Sequence, residues 1–210
     1  MKQILAILAI LLLLFFAFKC GEEKKPTNSD QEDPSYYFPI NLYYKWIYAS
    51  LGKNCIATGD TFVITAETKK TRIIDGISQS GWDLVLSAGG KGTGFVYRVG
   101  DTIFYWKDVS YTLPPYKLLV GPIKEGTYWD DHPRYDFEYS IVGFEDLYSS
   151  IAGETYWGCA KIKRIAPDDP KMKYFWWAPQ FGKVKEAVYQ SGECQQGEEL
   201  KRLEKSPQFP

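Results

Sequence analysis

The sequence predicts an all-β domain whose antiparallel strands follow one another as a meander. We expect them to curl into a half-open or closed barrel, a cupped sheet with little helix. Three observations support this fold class. The 210 residues include 7 Trp, 16 Tyr and 12 Phe with 18 Gly and 12 Pro, a composition that favours strands joined by turns. Apolar and polar residues alternate in several segments, and no long segment has apolar residues at helical spacing. About ten strands are too many for a flat open sheet, which would curl or split.

Strand candidates are recognised by β-branched and aromatic residues with a period of two. In chain order they cover residues 43–48, 61–68, 81–88, 94–99, 102–107, 134–141, 154–165, 174–178 and 183–190. Two dipeptides between candidates, Asp75-Gly76 and Gly100-Asp101, are typical of two-residue hairpin turns. Residues 198–205 are compatible with a strand or a helical turn, because Glu, Leu, Lys and Arg favour helix while the order of elements favours a strand.

The most aromatic stretch is the run Tyr-Phe-Trp-Trp at residues 174–177. With a period of two its rings alternate between the two faces of a strand, so both faces need apolar cover. Pro179 cannot donate to a ladder and Gly182 tolerates positive φ, which predicts a turn and a partner strand from residue 183. The rest of the chain must supply the sheet that covers these rings.

The first nineteen residues are predicted to be an export signal. A short basic start precedes an unbroken apolar run at residues 4–18, which ends at Lys19-Cys20. This run is short for a spanning helix, which needs roughly 20 residues. The arrangement resembles a bacterial lipoprotein signal, in which the cysteine after the run is acylated; on this interpretation Cys20 carries the lipid. The alternative is an uncleaved anchor with Cys20 unmodified, since Phe18 and Lys19 stand where that cleavage site prefers small residues.

Composition divides the chain into a lipoprotein signal (1–19), a tether (20–35), a single β domain (36–205) and a tail (206–210). Residues 21–34 have two prolines and no large apolar residue, the composition of a disordered tether. We expect the lipid to hold the domain at the cell envelope. The membrane that carries the protein would be an outer membrane if the organism has one, and otherwise the outer face of the cytoplasmic membrane.

Charge and composition limit the partners. The net charge is −1, and no basic block suits a phosphate backbone, so nucleic acid is excluded as an expected partner. The membrane is expected as a partner through the N-terminal lipid. A lipophilic ligand or an envelope protein is the second expected partner.

Four motifs follow one another along the chain. They are Pro-Ile…Trp-x-Tyr (39–48), Gly-Pro-Ile-x-x-Gly-x-x-Trp (121–129), Ala-Gly-x-Thr-Tyr-x-x-Cys-x-Lys-Ile (152–162) and Tyr-x-Trp-Trp-Ala-Pro-x-x-Gly-x-Val-Lys (174–185). The set resembles a group of uncharacterised bacterial extracytoplasmic proteins and lipoproteins. Their domains read Pro-Leu-x-x-Gly-x-x-Trp-x-Tyr near the start and Trp-Tyr-Ala-Pro-Gly-x-Gly-x-Val-Lys near the end. The resemblance implies a β-rich domain akin to the cupped sheets of lipoprotein carriers, and it carries no catalytic residues.

Residues with catalytic or metal-binding chemistry are few. His132, the single histidine, lies in Asp-Asp-His-Pro, which is interpreted as a turn rather than a metal site. The glycine-rich residues 89–94 lack the Gly-Lys-Ser/Thr ending of a phosphate loop. The acid pairs at 145–146 and 168–169 are adjacent in sequence, so their carboxylates point to opposite faces of a strand. We therefore predict no enzyme, metal or cofactor; a hydrolase that uses carboxylates is the remaining enzymatic alternative.

Three cysteines remain after Cys20, and three pairings are possible in an oxidising envelope. Cys55 and Cys194 lie in polar loops near the first and last strands, which are neighbours in a closed meander. This bridge is therefore favoured. Cys159 lies within a strand candidate and is predicted to be a small buried thiol.

The tryptophans suggest a binding surface. The candidates to line a ligand cavity are Trp106, Trp157, Trp176 and Trp177, because cupped sheets hold apolar ligands in their mouths. Plain core packing is the alternative. The sequence thus predicts a lipid-anchored, non-enzymatic envelope protein that binds an apolar or amphipathic ligand on its concave side. The alternative function is a structural or assembly partner that offers a sheet edge or aromatic patch to an envelope complex.

Overall fold

The computed structural model describes residues 32–40, 44–87, 91–107, 114–132 and 136–205. These residues contain one four-residue helix, α1 (Pro34–Tyr37), and one turn of 3-10 helix (Lys53–Cys55). The strands are β1 (Lys45–Leu51), β2 (Ala57–Ile74), β3 (Ile77–Ser87), β4 (Lys91–Val99), β5 (Thr102–Lys107), β6 (Tyr116–Val120), β7 (Tyr128–Asp130), β8 (Glu138–Ser149), β9 (Glu154–Ala166), β10 (Asp169–Ala178), β11 (Gly182–Gln190) and β12 (Glu193–Glu204). The predicted all-β class is confirmed. The predicted signal, Cys20 and the tail lie outside the described residues.

All of these strands belong to one antiparallel sheet, in the order β6-β5-β4-β3-β2-β1-β12-β11-β10-β9-β8-β7. Each neighbouring pair except β1 and β12 is consecutive in the chain. The sheet therefore consists of two meanders, β1–β6 and β7–β12, which join where the first strand pairs with the last. It curls into a nearly closed barrel, because a twisted sheet of this size buries its concave face by closing on itself.

The edge strands β6 and β7 meet along a seam. The backbone N–H of Lys117 donates to Oδ1 of Asp131 at 3.3 Å, and the indole N–H of Trp129 donates to the carbonyl of Lys117 at 3.3 Å. Within the ranges described, no strand ladder joins β6 to β7. Side chains thus occupy main-chain groups that an edge strand would otherwise leave open to another chain.

The N-terminal segment packs against one end of the barrel. The N–H of Ile123 donates to the carbonyl of Glu32 at 2.8 Å, and the N–H of Gln180 donates to the carbonyl of Tyr36 at 2.7 Å. These two bonds attach the segment both to the connection between β6 and β7 and to the turn between β10 and β11. The segment therefore bridges the two meanders.

Packing starts before residue 36, where the predicted tether was expected to give way to the domain. Asp33 accepts the N–H of Ser35 and so caps α1, and its carboxylate lies 3.0 Å from Arg98. Pro34 is buried, and a Cβ on Gly121 would lie 2.9 Å from its ring. The tether prediction is therefore corrected at its C-terminal end: the polar residues there cap a helix and form an ion pair.

The main core lies inside the barrel, beside the N-terminal segment. The ring of Phe38 stacks on Trp46 at 6.0 Å between centroids and meets Trp177 edge-on at 5.3 Å. A second, smaller cluster contains Phe95 and Tyr97, whose rings lie 5.7 Å apart. Because side chains alternate along β4 and Val96 lies in the main core, this second cluster covers the outer face of the sheet.

A disulfide joins Cys55 to Cys194 with their Cα atoms 5.5 Å apart. It links the turn after β1 to the start of β12, two segments that lie side by side because these strands pair; it is the bridge favoured from the sequence. Cys159 is free and fully buried, and burial raises the pKa of its thiol to about 12. In the part of the chain described here, no helical segment is capable of spanning a bilayer.

Candidate ligand-binding cavity

The barrel contains a cavity of about 390 Å³ that is partly open to solvent. This volume falls within the range of about 300–1,000 Å³ found for small-molecule pockets in proteins. Residues from both meanders line the cavity, together with Phe38 from the N-terminal segment. The nearly closed sheet therefore leaves internal space that side chains do not fill.

Strands β1, β2, β3 and β5 form an apolar wall of the cavity. The residues that line it are Trp46, Tyr48, Ile64, Leu84, Leu86 and Tyr105. They recur at every second position, as in Trp46 and Tyr48 or Leu84 and Leu86, because alternate side chains of a strand point to the same face. None of the described lining residues from these four strands is charged.

Strands β9–β11 form a charged wall. The residues are Arg164 on β9, Lys173 on β10, and Lys183 and Glu186 on β11. The carboxylate of Glu186 pairs with both ammonium groups, at 2.8 Å from Lys183 and in closer contact with Lys173. Lys183 also pairs with Glu198 on β12. The cavity is therefore amphipathic, with apolar and ionic surfaces from different strands.

The ion pairs determine the charge state of this wall. Burial disfavours charge on Lys183, but the carboxylates of Glu186 and Glu198 outweigh it and raise the pKa of Lys183 well above its ordinary value. Burial likewise disfavours charge on Glu186, and Lys183 and Lys173 outweigh it and lower the pKa of that carboxyl. Lys183 and Glu186 are therefore both ionised at neutral pH.

Arg164 lies on the charged wall in a different environment. Its guanidinium carbon is 4.2 Å from the ring centroid of Phe137, and Tyr139 on β8 lies directly beside it in the sheet. Among the residues that the structure describes, no carboxylate lies within ion-pair distance of it. Its register partners are Tyr139 on β8 and Lys173 on β10, so two cationic side chains stand next to each other on neighbouring strands.

Only one of the four tryptophans predicted to line a cavity does so. Trp177 faces the interior, whereas Trp176 is buried elsewhere and donates its indole N–H to Glu145. Trp106 packs with the cluster on the outer face of the sheet. Trp157 is 70% exposed. The expected tryptophan-lined wall is corrected accordingly, because side chains alternate along β10: Phe175 and Trp177 face the cavity, and Trp176 points to the other face.

The sequence does carry a signal for cavity-lining residues that are not among the four predicted tryptophans. Trp46 and Tyr48 share one face of the strand predicted at residues 43–48. On β9, Arg164 follows Ala160 and Ile162 at alternate positions, and both of those are buried. A charged residue on the apolar face of a strand therefore marks the cavity, and Lys173 stands in the same relation to the ring at position 175.

Among the described residues, the polar side chains around His132 lie in different environments. His132 is exposed, with Nδ1 3.5 Å from Oδ1 of Asp136. Among the described residues there is no group of three or more His, Cys, Asp or Glu side chains placed to hold a metal. Asp131, by contrast, is buried at the seam and lines the cavity.

Comparisons with known proteins show similarity in fold. No family model and no curated protein matches the chain. One similar crystal structure, from Bacteroides fragilis, is described as an exported protein with a YmcC-like fold. It has 15% identity, covers 79% of this chain and 97% of its own, and gives a TM-score of 0.51. Another, described as a lipoprotein from Parabacteroides distasonis, has 14% identity. It covers 80% of this chain and 98% of its own, and gives a TM-score of 0.36. The first similarity shows a shared fold; the second is too low to carry an argument.

Proposed function

We propose that this protein is a lipid-anchored component of the bacterial cell envelope whose barrel binds an apolar or amphipathic molecule without catalysing its conversion. The observation that carries the proposal is the cavity of about 390 Å³, with its apolar wall and aromatic end formed by Phe38, Trp46 and Trp177. A cavity of this kind costs packing energy that a bound molecule would restore.

Two features support the envelope location. The apolar run that ends at Cys20 has the form of a lipoprotein signal. The Cys55–Cys194 disulfide is typical of proteins in oxidising compartments. Both features agree with a domain that folds outside the cytoplasm.

The charges in the cavity favour binding over catalysis. Glu186 contacts two lysines that keep it ionised, so it cannot serve as a general acid at neutral pH. Asp131 accepts a backbone hydrogen bond at the seam, where it holds the two edge strands together. Each carboxylate of the cavity thus has a structural role.

Native mass spectrometry of the full-length protein purified from its envelope tests the binding function. We expect the wild type to retain a small molecule. Leu86→Trp places a larger ring in the cavity and is expected to remove it, whereas Ile73→Trp changes a residue that is 75% exposed and is expected to retain it. A wild-type protein without a bound molecule, or equal occupancy in the Leu86→Trp variant, would contradict the proposal.

Acylation is tested separately. Wild-type cells grown with labelled palmitate are expected to incorporate the label into this protein, and a Cys20→Ser variant is expected to lose it. Equal labelling of both variants, or none in the wild type, would leave the uncleaved anchor as the correct interpretation of the N-terminus.

A second candidate function, an assembly partner in an envelope complex, is favoured by exposed aromatic rings on the β8–β9 hairpin. Phe144, Tyr148 and Trp157 are 45%, 66% and 70% exposed. Exposed aromatic groups are enriched where proteins dock. A photo-crosslinker at position 157 would then give one discrete adduct in cells, and a crosslinker at the exposed position 73 would not.

A further inference from the structure

We propose that the molecule bound in the cavity is an amphipathic anion, with its acidic head group at Arg164 and its apolar part against the wall formed by β1, β2, β3 and β5. This inference rests on the proposed binding function and adds the chemical class of the ligand. It follows from the way charge is distributed over the cavity wall.

The charged wall has more cations than anions. Arg164, Lys173 and Lys183 are cationic, Glu186 is the anion among them, and Glu198 supplies a second carboxylate from β12. Lys183 contacts both carboxylates and Lys173 contacts one. The lysines and glutamates of this wall thus pair with one another, and Asp131, a further carboxylate of the cavity, lies at the seam, where it accepts the N–H of Lys117. Arg164 is the cation of this wall that has no carboxylate at ion-pair distance among the described residues.

The environment of Arg164 is suited to an incoming anion. A guanidinium always carries its charge in proteins, and placing that charge beside an apolar cavity without an anionic partner is unfavourable. The guanidinium lies against the face of Phe137 and beside Tyr139 on β8, and neither of these side chains provides a negative charge. A carboxylate or phosphate would provide the missing charge and accept two parallel N–H bonds from the planar fork.

The neighbouring groups would orient such a head group. Lys173 is the register partner of Arg164 on β10 and lies on the same wall, so it provides a second positive charge nearby. Across the cavity Leu84 and Leu86 present aliphatic side chains. A molecule with an acid at one end and an apolar body can satisfy both surfaces, whereas a neutral alcohol or a quaternary ammonium cannot satisfy Arg164.

The test uses the full-length chain in lipid nanodiscs with a Trp157→Phe background, which removes the exposed tryptophan. Bromine quenches tryptophan at short range, so a brominated ligand in the cavity quenches Trp46 and Trp177. The probes are 12-bromododecanoate, 12-bromododecyl phosphate, 12-bromododecanol and the corresponding trimethylammonium compound, each corrected with empty discs. We expect at least one of the two anions to reach half-saturation at a concentration about 10-fold to 100-fold lower than the alcohol. The relative affinity of the two anions distinguishes a carboxylate from a phosphate head group.

Variants assign the preference to one residue. Arg164→Gln is expected to bring the anions and the alcohol to similar affinity, and Arg164→Lys is expected to keep an intermediate preference. Arg202→Gln changes an arginine that is 65% exposed on its side chain and pairs with Glu204, and it is expected to behave as the wild type. If Arg164→Gln does not fold, the Nε–H resonance of Arg164 in the wild type replaces it: the resonance is expected to shift with dodecanoate and to stay fixed with dodecanol.

The outcomes separate this inference from the function on which it rests. Equal binding of alcohol and anions, tighter binding of the ammonium compound, or an anion preference that survives Arg164→Gln would overturn the head-group assignment while leaving a binding protein. Absence of saturable quenching with all four probes would overturn the binding function itself.

Discussion

The hydroxyl of Tyr48 donates a hydrogen bond to the backbone carbonyl of Lys183, 2.7 Å away. Tyr48 is on β1 and Lys183 is on β11. In the sheet β12 lies between these two strands, so the hydrogen bond joins strands that are not neighbours. The ammonium group of Lys183 also lies 5.7 Å from the centre of the Tyr48 ring. Burial raises the pKa of Tyr48, which keeps the phenol protonated as a donor. This contact connects the two meanders inside the barrel.

Removal of that hydroxyl is expected to destabilise the fold. Tyr48→Phe leaves the Lys183 carbonyl without its donor in a buried site, which costs about 1–3 kcal/mol in the free energy of unfolding. Tyr148→Phe is the matched control, since Tyr148 is 66% exposed and its change is expected to stay within about 0.5 kcal/mol. Urea denaturation in mild detergent measures both, and equal midpoints for the two variants would show that the bond contributes nothing.

Acid is expected to destabilise the barrel through Glu186. Because its pKa is lowered in the folded state, its contribution is present above the unfolded pKa, near 4.5, and is lost as pH falls through the folded value. Asp33 and Asp83, whose pKa values are also lowered, act in the same direction. The urea concentration at the midpoint should therefore decrease once the pH is lower than about 5.

Glu186→Gln isolates the part of this effect that belongs to the cavity. The variant is expected to be less stable than the wild type at pH 7, because two partly buried lysines lose their shared partner. The difference between the two proteins should shrink as pH falls from 5 towards 2. A difference that does not change with pH would show that Glu186 titrates normally in the fold.

Local signals in the sequence predicted much of the fold. Asp75-Gly76 and Gly100-Asp101 form the β2–β3 and β4–β5 turns as expected, because turn residues act within the hairpin itself. β6 and β7 were not predicted: they are short, and their ends are placed by contacts across the seam, such as that of Asp131 with Lys117. Propensity does not report contacts of this kind.

The cavity was less predictable than the strands. Aromatic content indicated that rings would be buried, but it did not indicate which face of β10 would line the cavity: Phe175 and Trp177 do, and Trp176 does not. The charged wall depends on pairs such as Lys183 with Glu198, which meet because β11 lies beside β12. Sequence patterns identify the charged residue on an apolar face but not its partner.

The disulfide is expected to make a large contribution to stability. Cys55 and Cys194 are separated by 139 residues, and cross-linking so long a loop reduces the entropy of the unfolded chain by an amount worth about 4–5 kcal/mol at 25 °C. Cys55→Ser with Cys194→Ser should lower the urea midpoint accordingly. Dithiothreitol should destabilise the wild type and leave the double variant unchanged; an effect on both would point to another reducible bond.

Gly81 is expected to tolerate no side chain. A Cβ at this position would lie 2.2 Å from the carbonyl oxygen of Val96 and 2.6 Å from the ring of Phe95, so the backbone of β4 would have to move. Gly81→Ala should cost about 1–3 kcal/mol, the range for overpacking. Ser78→Ala, an exposed position on the same strand, is the control, and thermal unfolding should separate the two variants clearly. Similar melting temperatures would show that β3 and β4 separate at little cost.

Phe38 is expected to hold the N-terminal segment on the barrel. Its ring contacts Trp46 and Trp177, and it is 9% exposed. Phe38→Ala removes these contacts and should cost about 3–5 kcal/mol in the free energy of unfolding, the range for a buried phenylalanine. Phe144→Ala, at a position that is 45% exposed, should cost much less.

Hydrogen exchange can distinguish loss of this segment from general destabilisation. The amide of Gln180 donates to the carbonyl of Tyr36, whereas the amide of Tyr48 belongs to the β1 ladder. If the ring of Phe38 fastens the segment, Phe38→Ala should accelerate exchange at Gln180 more than at Tyr48. Equal acceleration at both amides would mean that the segment and the barrel open together and that Phe38 acts as an ordinary core residue.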